Sequence, residues 1–129
     1  MNYLLDTNWI ISFLKGRPDA VGLVTELLDH GLAMSVVSYG ETCEGLLTEV
    51  LQRREPLDQL ASLTDVLQVD LTIALRYATV RSYLRSRGKL IPDNDLWIAA
   101  TALAHDLTLV TRDGHFERVP GLKLYQQVR

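Results

Sequence analysis

Four carboxylates stand out by where they sit along the chain. Asp6 follows the short apolar run Tyr3–Leu5, and Glu41 lies one turn into a helical pattern after Ala33–Val37. Asp95 opens an apolar helical stretch, and Asp113 closes the run Leu109-Val110-Thr111. None has a lysine beside it in sequence. If the apolar runs are parallel strands of one α/β sheet, all four acids fall on its carboxyl rim, where such sheets bind ligands. Carboxylates gathered there repel one another and cannot all stay ionised without a compensating cation. An all-oxygen donor set selects a hard divalent ion, Mg²⁺ or Mn²⁺, over zinc. No cysteine–histidine spacing suggests a zinc site, since His30, His105 and His115 are far apart and Cys43 is the single cysteine.

Each acid also has a local explanation. Asp6-Thr7-Asn8 suits the N-cap of a first helix. Ser38-Tyr39-Gly40-Glu41 fits a capping box, with Glu41 reaching back to a backbone N–H. Asp113-Gly114 is a common turn pair. Asp93 and Asp95 are two residues apart, about 200° around a helix, so both approach one site only if Asp93 stands outside the helix as its N-cap. His115, near Asp113, reads as a solvent-facing loop residue with contact to the site as the alternative, and Cys43 reads as a packing residue. Caps and turns do not require four acids to converge on one sheet edge, which favours the metal reading when they are taken together.

The elements that position these residues follow from the apolar pattern. Strands are expected at Tyr3–Leu5, Ala33–Val37, Val66–Val69, Thr108–Val110 and Lys123–Tyr125, all short enough to be buried on both faces. Helices are expected at Trp9–Lys15, Asp19–Asp29, Tyr39–Leu51, Pro56–Leu63, Thr72–Ser86 and Asp93–Ala104. Gly16, Gly31 and Gly88 mark helix ends, and Pro18, Pro56 and Pro92 mark helix starts. The alternation gives an α/β fold with a largely parallel sheet.

Composition sets outer bounds. The chain has 129 residues, 47% hydrophobic and 22% charged, one domain's worth and unlike a disordered segment. One cysteine excludes an internal disulfide framework and suits a reducing compartment. The longest uncharged runs, such as Gly31–Gly40, are about ten residues, far short of a membrane span. The N-terminus carries no basic leader, so a soluble cytoplasmic protein is expected. Thirteen Lys and Arg against sixteen Asp and Glu give a net charge of −3, which by itself argues mildly against a nucleic-acid partner. Setting the four rim acids aside leaves twelve acids against thirteen bases, and that argument disappears.

The set Leu4-Leu5-Asp6-Thr7-Asn8, Ser38-Tyr39-Gly40-Glu41, Asn94-Asp95-Leu96-Trp97-Ile98-Ala99-Ala100-Thr101-Ala102 and Leu109-Val110-Thr111-Arg112-Asp113-Gly114-His115-Phe116 resembles PIN-domain ribonucleases. The run Phe116–Leu122 resembles the tail of their VapC toxin branch. The specific motifs lie at the two ends of the chain, with none between Leu46 and Leu90. The resemblance implies a single PIN-like nuclease domain over residues 1–129, folded as a three-layer α/β/α sandwich around about five mainly parallel strands. It further implies a Mg²⁺- or Mn²⁺-dependent endoribonuclease acting as the toxin of a type II toxin–antitoxin pair. Asp6, Asp95 and Asp113 match metal ligands, with Glu41 a further ligand or the residue that orients attacking water. Asp95 carries the family's spacing to Ile98-Ala99-Ala100, which leaves Asp93 as a cap or auxiliary acid. Thr7, Asn8, Ser38 and Thr111 match small polar positions beside the metal or the phosphate. A processing nuclease without toxin role and an inactive metal-binding module remain as alternatives. A phosphatase or phosphoacceptor is disfavoured, because Asn8 stands where one such class needs an Asp and Thr111-Arg112 where another needs a lysine.

Between Leu71 and Pro92 there is no acid, while Arg76, Arg81, Arg85, Arg87 and Lys89 all occur. Arg81, Arg85, Arg87 and Lys89 are therefore candidate RNA-phosphate contacts, the alternative being an ordinary solvated basic face. Trp9 and Trp97 read as core, with base stacking the alternative for Trp9. The early helices carry more apolar residues than one stripe needs (Ile10, Phe13, Leu14, Leu23, Val24, Leu27). By resemblance, that region helps form a groove for an antitoxin peptide, and the chain pairs as a homodimer.

Overall fold

The computed structural model describes residues 1–48 and 53–126. Twelve elements follow in order: β1 (Tyr3–Leu5), α1 (Thr7–Leu14), α2 (Pro18–Leu28), β2 (Leu32–Ser35), α3 (Val36–Thr48), α4 (Glu55–Ser62), β3 (Asp65–Leu67), α5 (Leu71–Ser86), α6 (Asp93–Ala104), β4 (Thr108–Val110), a 3₁₀ turn (Gly114–Arg118) and β5 (Lys123–Leu124). The strands form one sheet in the order β3-β2-β1-β4-β5, and every pairing is parallel. The sandwich and five-stranded sheet expected from the sequence are both present.

The period-two alternation of side chains splits each strand between two cores. Leu4, Ala33 and Leu109 face a core built with Val80 and Leu84 of α5, Leu96, Ile98 and Ala102 of α6, and Phe116. Leu5, Met34 and Val110 face the other, with Trp9 and Ile10 of α1, Leu23 and Leu27 of α2, and Leu57 and Leu60 of α4. Such double burial explains why the strands read as continuous apolar runs. The chain leaves β1 toward β2 on one side and returns through α5 and α6 to β4 on the other. That reversal of strand order opens a crevice at the carboxyl ends of β1 and β4.

One boundary shift matters for function. The strand expected to run to Val37 stops at Ser35, and α3 starts at Val36 rather than Tyr39. Ser35 Oγ accepts the N–H of Val37 at 3.0 Å, so a buried hydroxyl starts the helix where two valines suggest more strand. Ser38 is thereby inside α3, and the capping-box reading of Ser38 and Glu41 fails. The expected end of this helix at Leu51 lies outside the described residues. Strand β3 likewise ends early, because Asp70 accepts the N–H of Ile73 at 2.9 Å and caps α5.

Candidate active site

Asp6 is the first residue past β1, and its backbone N–H continues the ladder to Val110 O at 3.0 Å. Asp6 is buried, only 2% exposed as a residue. One carboxylate oxygen accepts the N–H of Thr7 at 2.8 Å, so the cap reading of Asp6 is correct as far as it goes. The other accepts the Thr111 hydroxyl at 2.6 Å. Burial pushes the Asp6 carboxyl up from 3.8 to about 6, against the pull of the Thr111 and Thr7 hydrogen bonds and with help from the Asp95 and Asp113 charges.

The Thr111 position follows from register. Leu5 pairs with Val110, so the residues just past them stand side by side across the crevice. The Thr111 hydroxyl donates to Asp6 and accepts the backbone N–H of Asp113 at 3.0 Å, tying the end of β1 to the loop that carries the next carboxylate.

Helix α6 delivers Asp95 from its first turn. Pro92 is the N-cap and Asp93 is already helical, so the expectation that Asp93 caps this helix is corrected. The two acids diverge as their spacing requires. Asp93 is largely exposed, accepts the Tyr77 hydroxyl at 2.9 Å and stands 3.5 Å from Arg81 Nε. Asp95 turns inward, with its side chain 18% exposed. Burial raises its pKa most; the His115 charge opposes this, while Glu41 and Asp113 add to it.

Glu41 arrives from α3. Its Oε1 accepts the Thr7 hydroxyl at 2.7 Å and its Oε2 accepts Asn94 Nδ2 at 3.2 Å. Thr7 Oγ also stands 3.0 Å from Ser38 Oγ. Since a hydroxyl carries one proton, Thr7 gives its own to the carboxylate and Ser38 supplies the other bond. Asn8 is exposed and, with Thr7, Gly40, Glu41, Glu44 and Asn94, lines an open polar cleft beside the acids.

His115 is the correction in this region. Rather than facing solvent, it stands 2.8 Å from Asp95 Oδ2 through Nε2, with its side chain 24% exposed. Asp95, Asp113 and His115 each offer one donor atom within 4.8 Å of the others. Nε2 is buried and forms no hydrogen bond, although the Asp95 carboxylate stands 2.8 Å away. An orphaned buried nitrogen among carboxylates is what a cation-binding donor set leaves when the protein alone is considered, so these residues fit a divalent ion.

A PIN domain family model matches residues 3–122. The chain belongs to the PIN domain family. It is similar to Ribonuclease VapC1 of Haemophilus influenzae (strain R2866), 34% identical over 128 residues that cover 95% of this chain and 96% of that one. A structure of VapBC2 from Rickettsia felis bound to a DNA fragment from their promoter matches with a TM-score of 0.88 at 29% identity, covering 97% of this chain and 98% of that one. A structure of VapBC-5 from Mycobacterium tuberculosis, a member of the VapBC family of toxin-antitoxin systems, matches with a TM-score of 0.74 at 27% identity, covering 95% and 93%.

Around this PIN domain site the basic segment divides. Arg81 is partly neutralised by Asp93, and Arg87 lies over the Tyr83 ring, 3.6 Å from its centroid. Arg85 and Lys89 are exposed. Sequence reasoning missed Arg118, whose guanidinium reaches Leu90 O at 3.3 Å and so borders this segment. It also missed Asn94 as a partner of Glu41, although the Asn94-Asp95 pair was visible. Arg112 pairs with Asp19 at 2.6 Å and covers the Trp9 ring at 3.8 Å, which fixes the loop between Thr111 and Asp113. Trp9 is 3% exposed, whereas Trp97 is half-buried and stacks on Tyr77 at 3.8 Å.

Proposed function

We propose that this chain is a divalent-metal-dependent endoribonuclease, the toxin of a type II toxin–antitoxin pair, built as one PIN domain over residues 1–129. The observation that carries the reading is the buried Asp6 carboxylate, destabilised in its charged form by burial and by two further carboxylates on the same rim. A divalent cation held there offsets that cost at neutral pH. Similarity to Ribonuclease VapC1 and to a structure from the VapBC family of toxin-antitoxin systems supports the substrate class and the biological role.

In this reading Asp6, Asp95 and Asp113 hold Mg²⁺ or Mn²⁺, with Glu41 as a further ligand or as the group that orients water. Bound there, the ion lowers the pKa of water and neutralises charge on the scissile phosphate. Thr7 and Asn94 grip the two oxygens of Glu41 and aim the carboxylate at a water entering from the cleft. Thr111 sets the spacing of Asp6 and Asp113 through its two hydrogen bonds. Asn8 and Ser38 complete the polar wall. Attack by water on phosphorus expels the 3′-oxygen, leaving a 5′-phosphate and a 3′-hydroxyl. Arg85, Arg87 and Lys89 contact RNA phosphates independently of sequence, and Arg81 contributes less while Asp93 shares its charge.

The antitoxin peptide takes an apolar pocket between α1, α3 and α4 lined by Ile11, Leu14, Leu46 and Pro56. Ile11 also lines the polar cleft, so one peptide reaches both. A homodimer is favoured by Leu71 and Leu75, which share a face of α5 and are 84% and 71% exposed. No helix among the described residues is long and apolar enough to cross a membrane, and the single cysteine suits a cytoplasmic setting.

The test uses end-labelled RNA with Mg²⁺, Mn²⁺ or EDTA. Divalent-dependent internal cleavage with 5′-phosphate products is expected, and undiminished cleavage in EDTA would overturn the proposal. Growth arrest on expression, relieved by a co-expressed antitoxin, separates the toxin from a processing nuclease.

A further inference from the structure

His115 stands immediately past Asp113 in the 3₁₀ turn Gly114–Arg118, and that turn swings its ring back over Asp95 from α6. The ring leans on Phe116, itself fully buried, with centroids 4.8 Å apart, so its position is set by the core. Two features of the contact separate a ligand from an ordinary ion pair. A histidine that serves only to brace a carboxylate aims its N–H along the line to the oxygen, because charge-assisted hydrogen bonds are short and straight. Here the approach is short, 2.8 Å, yet the buried Nε2 is left without a hydrogen bond. In addition, the donor atoms of Asp95, Asp113 and His115 lie within 4.8 Å of one another. Donors about 2.1 Å from a common ion are at most about 4.2 Å apart, within a small side-chain adjustment of that spacing.

We infer that His115 supplies a nitrogen ligand to the divalent ion, so that the site is a mixed nitrogen–oxygen set of His115, Asp95 and Asp113. This rests on the metal-dependent reading above and adds to it a ligand outside the acidic quartet. Asp6, whose two oxygens already accept hydrogen bonds from Thr7 and Thr111, contributes the lone pairs that remain. An imidazole ligand shifts preference away from Mg²⁺, which favours oxygen, toward Mn²⁺ and later first-row ions.

The test is pulsed electron paramagnetic resonance of the Mn²⁺-loaded protein, in wild type and in His115→Gln. The expected result is ¹⁴N modulation from a directly bound imidazole in wild type, replaced by ¹⁵N modulation when histidine is isotopically labelled, and lost in His115→Gln. Calorimetric titration should show Mn²⁺ affinity falling about tenfold or more in His115→Gln, with a smaller change for Mg²⁺. Thermal melting in EDTA checks that the variant is folded, and His115→Asn provides a second variant if it is not. Tight Mn²⁺ binding with no imidazole modulation would overturn the histidine ligand and leave the metal-dependent reading standing. Failure of the wild type to bind Mn²⁺ or Mg²⁺ at all would overturn both.

Discussion

At the residue scale, Asp6 shows how a side chain satisfies a local rule and a functional one together. It caps α1 and holds the floor of the acidic crevice, and its burial gives it a folded pKa of about 6 against the ordinary 3.8. The folded protein therefore binds this proton more tightly than the unfolded chain. The associated stability is fully present below about pH 4 and is lost as pH rises through about 6. Above that, the charged form costs about 3 kcal/mol unless a cation is bound. Chemical denaturation in EDTA should find wild type losing stability between about pH 4 and 7, with the loss reduced in Asp6→Asn. The Asn variant should be the more stable at pH 7.5 by about 1–3 kcal/mol; identical pH profiles would contradict this. Thr111→Val removes the hydroxyl shared by Asp6 and Asp113. Its kcat on RNA should fall about 10–100-fold while the circular dichroism spectrum is unchanged. The acids were legible in the sequence because strand ends are, whereas for His115 the sequence showed only its nearness to Asp113 and favoured the solvent-facing alternative. A residue in a turn shows nothing in sequence of which way the turn will swing it, and only Phe116 anchoring in the core decides that.

At the element scale, the strands were legible because burial on both faces writes them as apolar runs, and the helix after each run was legible from its punctuation. The start of α3 was not. Val36 and Val37 carry strand propensity, and Ser38-x-x-Glu41 carries the pattern of a capping box, so both signals moved the helix start toward Tyr39. The deciding interaction is one buried hydroxyl, Ser35 Oγ, accepting the Val37 N–H. Because this cap sets the helical phase, it also aims Glu41 at Thr7 and Asn94 instead of at its own backbone. Ser35→Ala should cost about 1 kcal/mol in urea denaturation, in the range for lost caps. The same variant should lower kcat more than it raises KM, since Glu41 loses its aim. In α6, helical spacing together with the family's spacing to Ile98-Ala99-Ala100 favoured Asp95 over Asp93, but the sequence did not show that Tyr77 and Arg81 of α5 would take Asp93.

At the scale of the whole molecule, a net charge of −3 conceals a division between an acidic crevice and a basic α5 end. The acid-free stretch from Leu71 to Pro92 was legible as composition. Its pairing was not: Arg81 is shared with Asp93, Arg87 is laid on Tyr83, and Arg118 joins from the opposite end of the chain. The exposed Arg85 and Lys89 thus carry most of the free charge among the residues proposed from sequence. Arg85→Ala with Lys89→Ala should weaken RNA binding similarly across unrelated sequences. The slope of log K against log salt should fall by about 1.4, two single-strand phosphate contacts' worth; an unchanged slope would place RNA elsewhere.

In the proposed function, acids from four parts of one chain assemble a divalent-ion site that hydrolyses RNA. The most direct measurement of this claim is single-turnover cleavage of a defined RNA by wild type and by Asp95→Asn, each with saturating Mn²⁺ and with EDTA, on protein shown by thermal melting to be folded. The expected result is cleavage by wild type with Mn²⁺ alone and a loss of at least about 100-fold in Asp95→Asn. Equal rates for the two proteins, or a wild-type rate indifferent to EDTA, would contradict the claim.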